Sequence, residues 1–190
     1  EPSAADPRVA RLLDQAGNDA KSFADPVTRA RWSGLAGRKD RAVALLKPLL
    51  AEPGKSPWDN VQAIRLLGEM REPAGIDLLE PIAAGGNWGM AVEAYKALAQ
   101  IDPKNHGLTD DQRTLLDGYR GFKETDAQIR RRIDGLAKLT PEETRPLVMQ
   151  MLRDTDHAAQ YPALLILTAW KDKDALPRIL ELVQGDNRSY

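Results

Sequence analysis

The chain has 190 residues, of which 29% are charged, 42% are hydrophobic and 5% are aromatic. Its 27 basic and 28 acidic side chains give a net charge of −1, so electrostatics provide no reason to expect nucleic acid as the main partner. The sequence contains no cysteine, which excludes disulfides and thiolate chemistry, and no apolar run approaches the roughly 18 residues of a membrane span.

Pairs of aspartate and proline mark the first predicted helices. Asp6-Pro7 begins a leading helix over about residues 6–17, because aspartate can cap a helix and proline fits its first turn. Asp25-Pro26 repeats the signal and begins a helix pair over about residues 26–51.

Two further helix pairs follow, over about residues 57–84 and 88–120. Ser56 is the predicted cap of the first. In the second, the later helix begins after a capping-box pattern, in which the cap Thr109 is followed three residues later by Gln112.

The last two pairs span about residues 125–153 and 158–184. Thr140 and Glu143 form the clearest capping-box pattern of the chain. No stretch alternates apolar and polar residues over a strand's length, so the predicted fold class is all-α.

A short signature recurs where the first helix of each pair ends: a leucine, a small residue, any residue and usually an apolar one. The five leucines are Leu35, Leu67, Leu98, Leu136 and Leu167. A large apolar residue stands three positions before each, namely Trp32, Ile64, Tyr95, Ile133 and Leu164. The recurrence predicts a right-handed α-solenoid of about five helix pairs, forming a single domain over residues 1–190. The small residue allows neighbouring helices to approach closely.

The stretches LLGEMREPAGIDLLEPI and LTAWKDKDALPRILELV resemble HEAT-like repeats, in the short form found in phycobilin lyases and many bacterial proteins. The resemblance covers Trp32 to Val183. It implies an armadillo-like helical scaffold that presents a curved surface to a partner. Because the signature defines packing, it implies no catalytic residue.

The two histidines, His106 and His157, each lie near aspartates in predicted turns. Neither has a second ligand at a fixed helical spacing, so they are interpreted as solvated turn residues. No catalytic, cofactor-binding or metal-binding residue is predicted, and no cofactor is expected.

Five residues form the candidate interaction surface. Arg130, Arg131 and Arg132 are the one dense basic stretch, and the alternatives are a solvated helix face or a docking patch for an acidic partner. Trp58 and Trp88 stand at helix starts thirty residues apart. They either pack at the helix entry or line a partner surface, where tryptophan is enriched.

The predicted function is a non-enzymatic protein–protein interaction scaffold. The alternatives are a lyase or chaperone for a pigment or another hydrophobic ligand, and a HEAT-like enzyme acting on nucleic acid. The lyase or chaperone would require an apolar groove, and the nucleic-acid enzyme would require a basic face. The start Glu-Pro-Ser-Ala-Ala, without methionine, fits an exported protein after signal removal, or else a trimmed chain or a module of a longer one.

Overall fold

The computed structural model describes residues 25–51, 56–118 and 126–186, together with Arg11 and Gln15. The side chains of residues 126–130 and 183–186 are outside this description. The regular structure in the described ranges is helical, so the all-α prediction is confirmed for this part of the chain. Of the predicted leading helix over 6–17, Arg11 and Gln15 are helical, and the rest lies outside the described residues.

The chain divides into two compact units, where the sequence predicts one continuous domain. The first unit comprises residues 1–83 and 93–107, and the second comprises 84–92 and 108–190. One helix, Trp88–Ile101, contributes residues to both units.

Over residues 25–51 and 56–107, the helices of the first unit form two pairs, followed by most of a fifth helix, α5. They are α1 (Pro26–Leu35), α2 (Lys39–Ala51), α3 (Pro57–Met70), α4 (Ile76–Ala83, preceded by a 3₁₀ turn at Pro73–Gly75) and α5 (Trp88–Ile101). Contacts join α1 with α2, α2 with α3, and α1 with α3.

In the part of the second unit that the structure describes, the first residues of α5 are followed by five later helices. These are α6 (Asp110–Asp117), α7 (Asp126–Leu136), α8 (Pro141–Arg153), α9 (His157–Ala169) and α10 (Leu176–Asp186). Contacts join α8 with α9, α6 with α8, and α7 with α9.

Two predicted helix starts are confirmed in detail. The carboxylate of Asp25 accepts hydrogen bonds from the N–H groups of Val27 and Thr28, at 3.2 and 2.8 Å. Thr109 and Gln112 form the full capping box, because each side chain bonds the other residue's backbone N–H.

Two other predicted caps stand at the N-cap positions of their helices, but the predicted side-chain cap bonds are wrong. Thr140 precedes α8 but makes no side-chain cap bond. Its N–H donates to Asp111 Oδ2 of α6 at 2.7 Å, so the acceptor is on another helix and is not Glu143 as the capping box requires. Ser56 also makes no cap bond to the backbone of α3, and its hydroxyl donates to Asp59 Oδ2 at 2.5 Å.

The small residue after the signature leucine does allow close helix approach. A Cβ placed on Gly68 would lie 2.9 Å from the Cα of Ala97 and 2.6 Å from Oε1 of Gln100. Helices α3 and α5 therefore touch at a point where a larger residue has no room. At the end of α1, a Cβ on Gly34 would lie 2.7 Å from the Sδ of Met70.

The predicted register is wrong in the first pair. Leu67, Leu98, Leu136 and Leu167 are buried, whereas Leu35 is 56% exposed. Leu67 and Leu167 lie four residues before the left-handed residue that ends their helix, Arg71 and Lys171 respectively.

In the first pair, helix α1 ends at a different position relative to the predicted signature. Its left-handed residue is Gly37, and the residue four positions earlier is the buried Ser33. Ser33 therefore occupies the place of Leu67, and Gly34 that of Gly68. The sequence pattern placed this repeat two residues too late, because a buried serine does not stand out as a core residue.

Candidate interaction surface

The two tryptophans predicted as surface residues differ completely in environment. Trp58, in the first turn of α3, is 69% exposed. Trp88, the first residue of α5, is 1% exposed. The assignment of Trp88 to a partner surface is therefore wrong, and the packing alternative holds. Trp58 remains a candidate contact residue.

The arginine cluster lies on α7 in the second unit. Arg131 is exposed and Arg132 is half-buried, while the side chain of Arg130 is outside the described residues. Trp58 belongs to the first unit, so it and the arginines are separate candidates. Whether either binds a partner stays a prediction.

Charged residues on the first unit join successive first helices. Arg31 of α1 reaches Glu69 of α3, with 3.3 Å between Nη1 and Oε2. Arg65 of α3 holds Glu93 of α5 with two hydrogen bonds of 2.8 and 2.7 Å. Arg31 and Arg65 stand at equivalent positions, six residues before the left-handed residue of their own helix. A groove of about 230 Å³ lies between α3 and α5, beside the ion pair of Arg65 and Glu93. Because the cations are paired with carboxylates, this surface is not a basic face.

The histidines have unremarkable environments. His106 Nε2 lies 3.7 Å from Glu80 Oε1, and His157 is the exposed first residue of α9 rather than part of a turn. Among the described residues, no group of three histidine or acidic side chains is arranged to hold a metal ion.

A second groove lies between α9 and α10 and was not predicted from the sequence. It has a volume of about 270 Å³, and its lining is mainly apolar. The lining residues are Leu167 and Thr168 of α9, Lys171, Asp172 and Lys173 of the connecting turn, and Leu176 and Ile179 of α10. This surface is called the α10 groove below.

Aliphatic side chains of α10 are left in solvent beside this groove. Leu176 is 51% exposed, and Leu180, one helical turn further on, is 56% exposed. In the sequence Leu176 belongs to an ordinary helical stripe with Ile179 and Leu182. Spacing could not reveal the exposure of Leu176, because it shows that a helix has an apolar face but not whether another helix covers it.

The turn at the groove has a fixed conformation. Lys171 adopts a left-handed φ of 55°. The N–H groups of Lys171 and Asp172 donate to the carbonyls of Thr168 and Leu167, both at 3.0 Å, which is the hydrogen-bond pattern of a Schellman helix end.

Arg145 of α8 pairs with both acidic side chains of this turn. Its Nε donates to Asp172 Oδ2 at 2.6 Å, and its Nη2 lies 3.3 Å from Asp174 Oδ2. The hydrogen bond from Arg145 lowers the pKa of Asp172, although partial burial opposes the shift. Asp172 Oδ1 also accepts the N–H groups of Asp174 and Ala175, at 3.0 and 3.2 Å, so the carboxylate orders the entry to α10.

Neither family models, nor curated protein sequences, nor solved structures give a match to this chain. Within the described ranges, no helix is both long enough and apolar enough to cross a membrane.

Proposed function

We propose that this chain is a non-enzymatic protein–protein interaction scaffold, built of HEAT-like helix pairs that stack as a right-handed α-solenoid. Contacts inside each unit support the stacking. First helices of successive pairs meet in α1 with α3 and in α7 with α9, and second helices meet in α6 with α8. Such nearest-neighbour packing of equivalent helices is what a repeat array requires.

The observation that carries the binding function is the exposed leucine pair on α10. Leu176 and Leu180 are each more than half exposed, one turn apart, beside the α10 groove. Neighbouring aliphatic side chains left in water cost free energy, and such patches commonly mark sites where a partner binds. Trp58, at 69% exposure on the first unit, is a second side chain of the type enriched at interfaces.

The two alternative functions receive less support. Grooves of about 230 and 270 Å³ lie below the roughly 300–1,000 Å³ of typical small-molecule sites, which does not favour a pigment-binding lyase. The pairing of Arg31 and Arg65 with glutamates does not favour a surface for nucleic acid.

The test is affinity capture from the native source followed by mass spectrometry. The tagged chain is compared with Trp58→Ala, Leu176→Asp and the double variant Arg131→Glu/Arg132→Glu. We expect each variant to keep its thermal midpoint within a few degrees, since Trp58, Leu176 and Arg131 are exposed. Arg132 is half-buried, so circular dichroism melting checks that the double variant remains folded. We expect at least one captured protein to be lost from one variant. If no protein is enriched, or if every variant captures the same set, the proposed function is wrong.

A further inference from the structure

We propose that the α10 groove binds an acidic, leucine-bearing helical segment of a partner protein. This inference rests on the proposed scaffold function and names the chemistry of the partner. Leu176 and Leu180 provide an apolar strip with the i,i+4 spacing that a partner helix can match with its own aliphatic residues.

The charges around the groove determine the sign of the partner. Lys171 and Lys173 line the groove and are both exposed. Arg145 balances one of the two carboxylate charges of Asp172 and Asp174, so with Lys171 and Lys173 the turn keeps a net positive charge. The rim is therefore positive beside an apolar floor, and acidic side chains complement it.

The backbone that carries the lysines is ordered before binding. The backbone of Lys171 is held in its left-handed conformation by the Schellman bonds, and Asp172 fixes the next residues through its contacts with Arg145 and the backbone. A pre-ordered rim lowers the entropy lost when a partner binds.

The experiment measures fluorescence anisotropy of labelled model helices on the full chain. The first peptide carries two leucines one turn apart with glutamates around them. The second has lysine in place of every glutamate, and the third has alanine in place of both leucines. We expect the first to bind at least about tenfold more tightly than either of the others, with affinity falling as salt increases.

Charge reversal supplies the matched control. In Lys171→Glu/Lys173→Glu we expect the preference to invert towards the lysine peptide, and in Leu176→Asp we expect binding of the first peptide to be lost. Circular dichroism melting checks that both variants remain folded. Equal binding of the glutamate and lysine peptides, or an unchanged preference after charge reversal, would overturn the proposal.

The remaining outcomes separate this proposal from the scaffold function. If capture from the native source depends on Trp58 or the arginines while the model helices do not bind, the scaffold stands and the α10 groove proposal fails. If sedimentation shows a dimer that Leu176→Asp abolishes, the occupant is a second copy of the chain, and the acidic-helix proposal is wrong.

Discussion

The carboxylate of Asp154 accepts a hydrogen bond from the backbone N–H of Trp88, 66 residues earlier in the chain. Its other oxygen accepts the N–H of Asp156 at 2.9 Å, and its carbonyl accepts the side-chain amide of Gln160. Asp154 is 4% exposed and Trp88 is 1% exposed. One buried carboxylate thus ties the start of α5 to the turn between α8 and α9.

We expect Asp154→Ala to lower the free energy of unfolding by about 1–3 kcal/mol, because it leaves the buried N–H of Trp88 without its acceptor. Urea denaturation followed by circular dichroism measures the change. The control is Asp134→Ala, at an exposed position of α7, which should change stability by no more than about 0.5 kcal/mol. Equal midpoints for the two variants would contradict a structural role for Asp154.

Gly68→Ala tests the close contact between α3 and α5. A new Cβ would clash with Ala97, and we expect a loss of about 1–3 kcal/mol despite the better helix propensity of alanine. Gly135→Ala in α7 is the matched control, because a Cβ there meets nothing within 4 Å. It should stabilise the protein by up to about 1 kcal/mol. If Gly68→Ala raised the free energy of unfolding, α3 and α5 could move apart without destabilising the protein, and the close contact would not matter for stability.

The ion pair between Arg145 and Asp172 predicts a dependence of stability on pH. The fold lowers the pKa of Asp172, so this contribution is present above the ordinary aspartate pKa of about 3.9 and is lost as pH falls through the lower folded value. The stability advantage of the wild type over Asp172→Asn should therefore shrink below about pH 4. Urea midpoints at neutral and acidic pH measure it. Asp174→Asn, whose side chain is 86% exposed, should show a smaller difference. An advantage for the wild type that persists undiminished at pH 2 would argue against the ion pair.

Replacing Trp88 and Trp58 should have very different effects on stability. Trp88→Ala removes a fully buried ring and should cost about 3–5 kcal/mol, while Trp58→Ala should cost less than about 0.5 kcal/mol. The fluorescence of Trp58 should also be the more accessible to acrylamide, so its removal should lower the quenchable fraction. A large loss of stability in Trp58→Ala would mean that this ring packs in solution.

A pair of threonine variants tests the capping assignments. Thr109→Ala removes a side chain that accepts the N–H of Gln112 and should cost about 1 kcal/mol. Thr140→Ala removes no bond to the backbone of α8, and its N–H can still donate to Asp111. It removes only the exposed hydrogen bond between its hydroxyl and the Asp111 carboxylate, so it should cost less than Thr109→Ala. Chemical denaturation of both variants measures the difference, and the reverse order would reinstate Thr140 as the cap of α8.

Local signals in the sequence were enough for the helices and for several of their starts. Asp25 and the pair Thr109 and Gln112 could be recognised because a cap depends on residues within one turn of each other. At Thr140 the helix start was recognised but the capping box was not formed, because the N–H of Thr140 bonds to Asp111, 29 residues away, and no local pattern encodes that contact. The HEAT-like resemblance and the solenoid remain predictions of the same sequence pattern.

Tertiary structure decided which apolar residues are covered. Hydrophobic spacing treats Leu35, Leu67 and Leu176 alike, yet Leu67 is buried and the other two are more than half exposed. The reason is that periodicity records the apolar face of one helix, whereas burial depends on which neighbour packs against it. The α10 groove illustrates this, because the sequence pattern contains Leu176 but does not show that the residue is left uncovered. The lysines at its rim lie in a turn whose conformation is held by Arg145 and the Schellman bonds, which only the tertiary structure reveals.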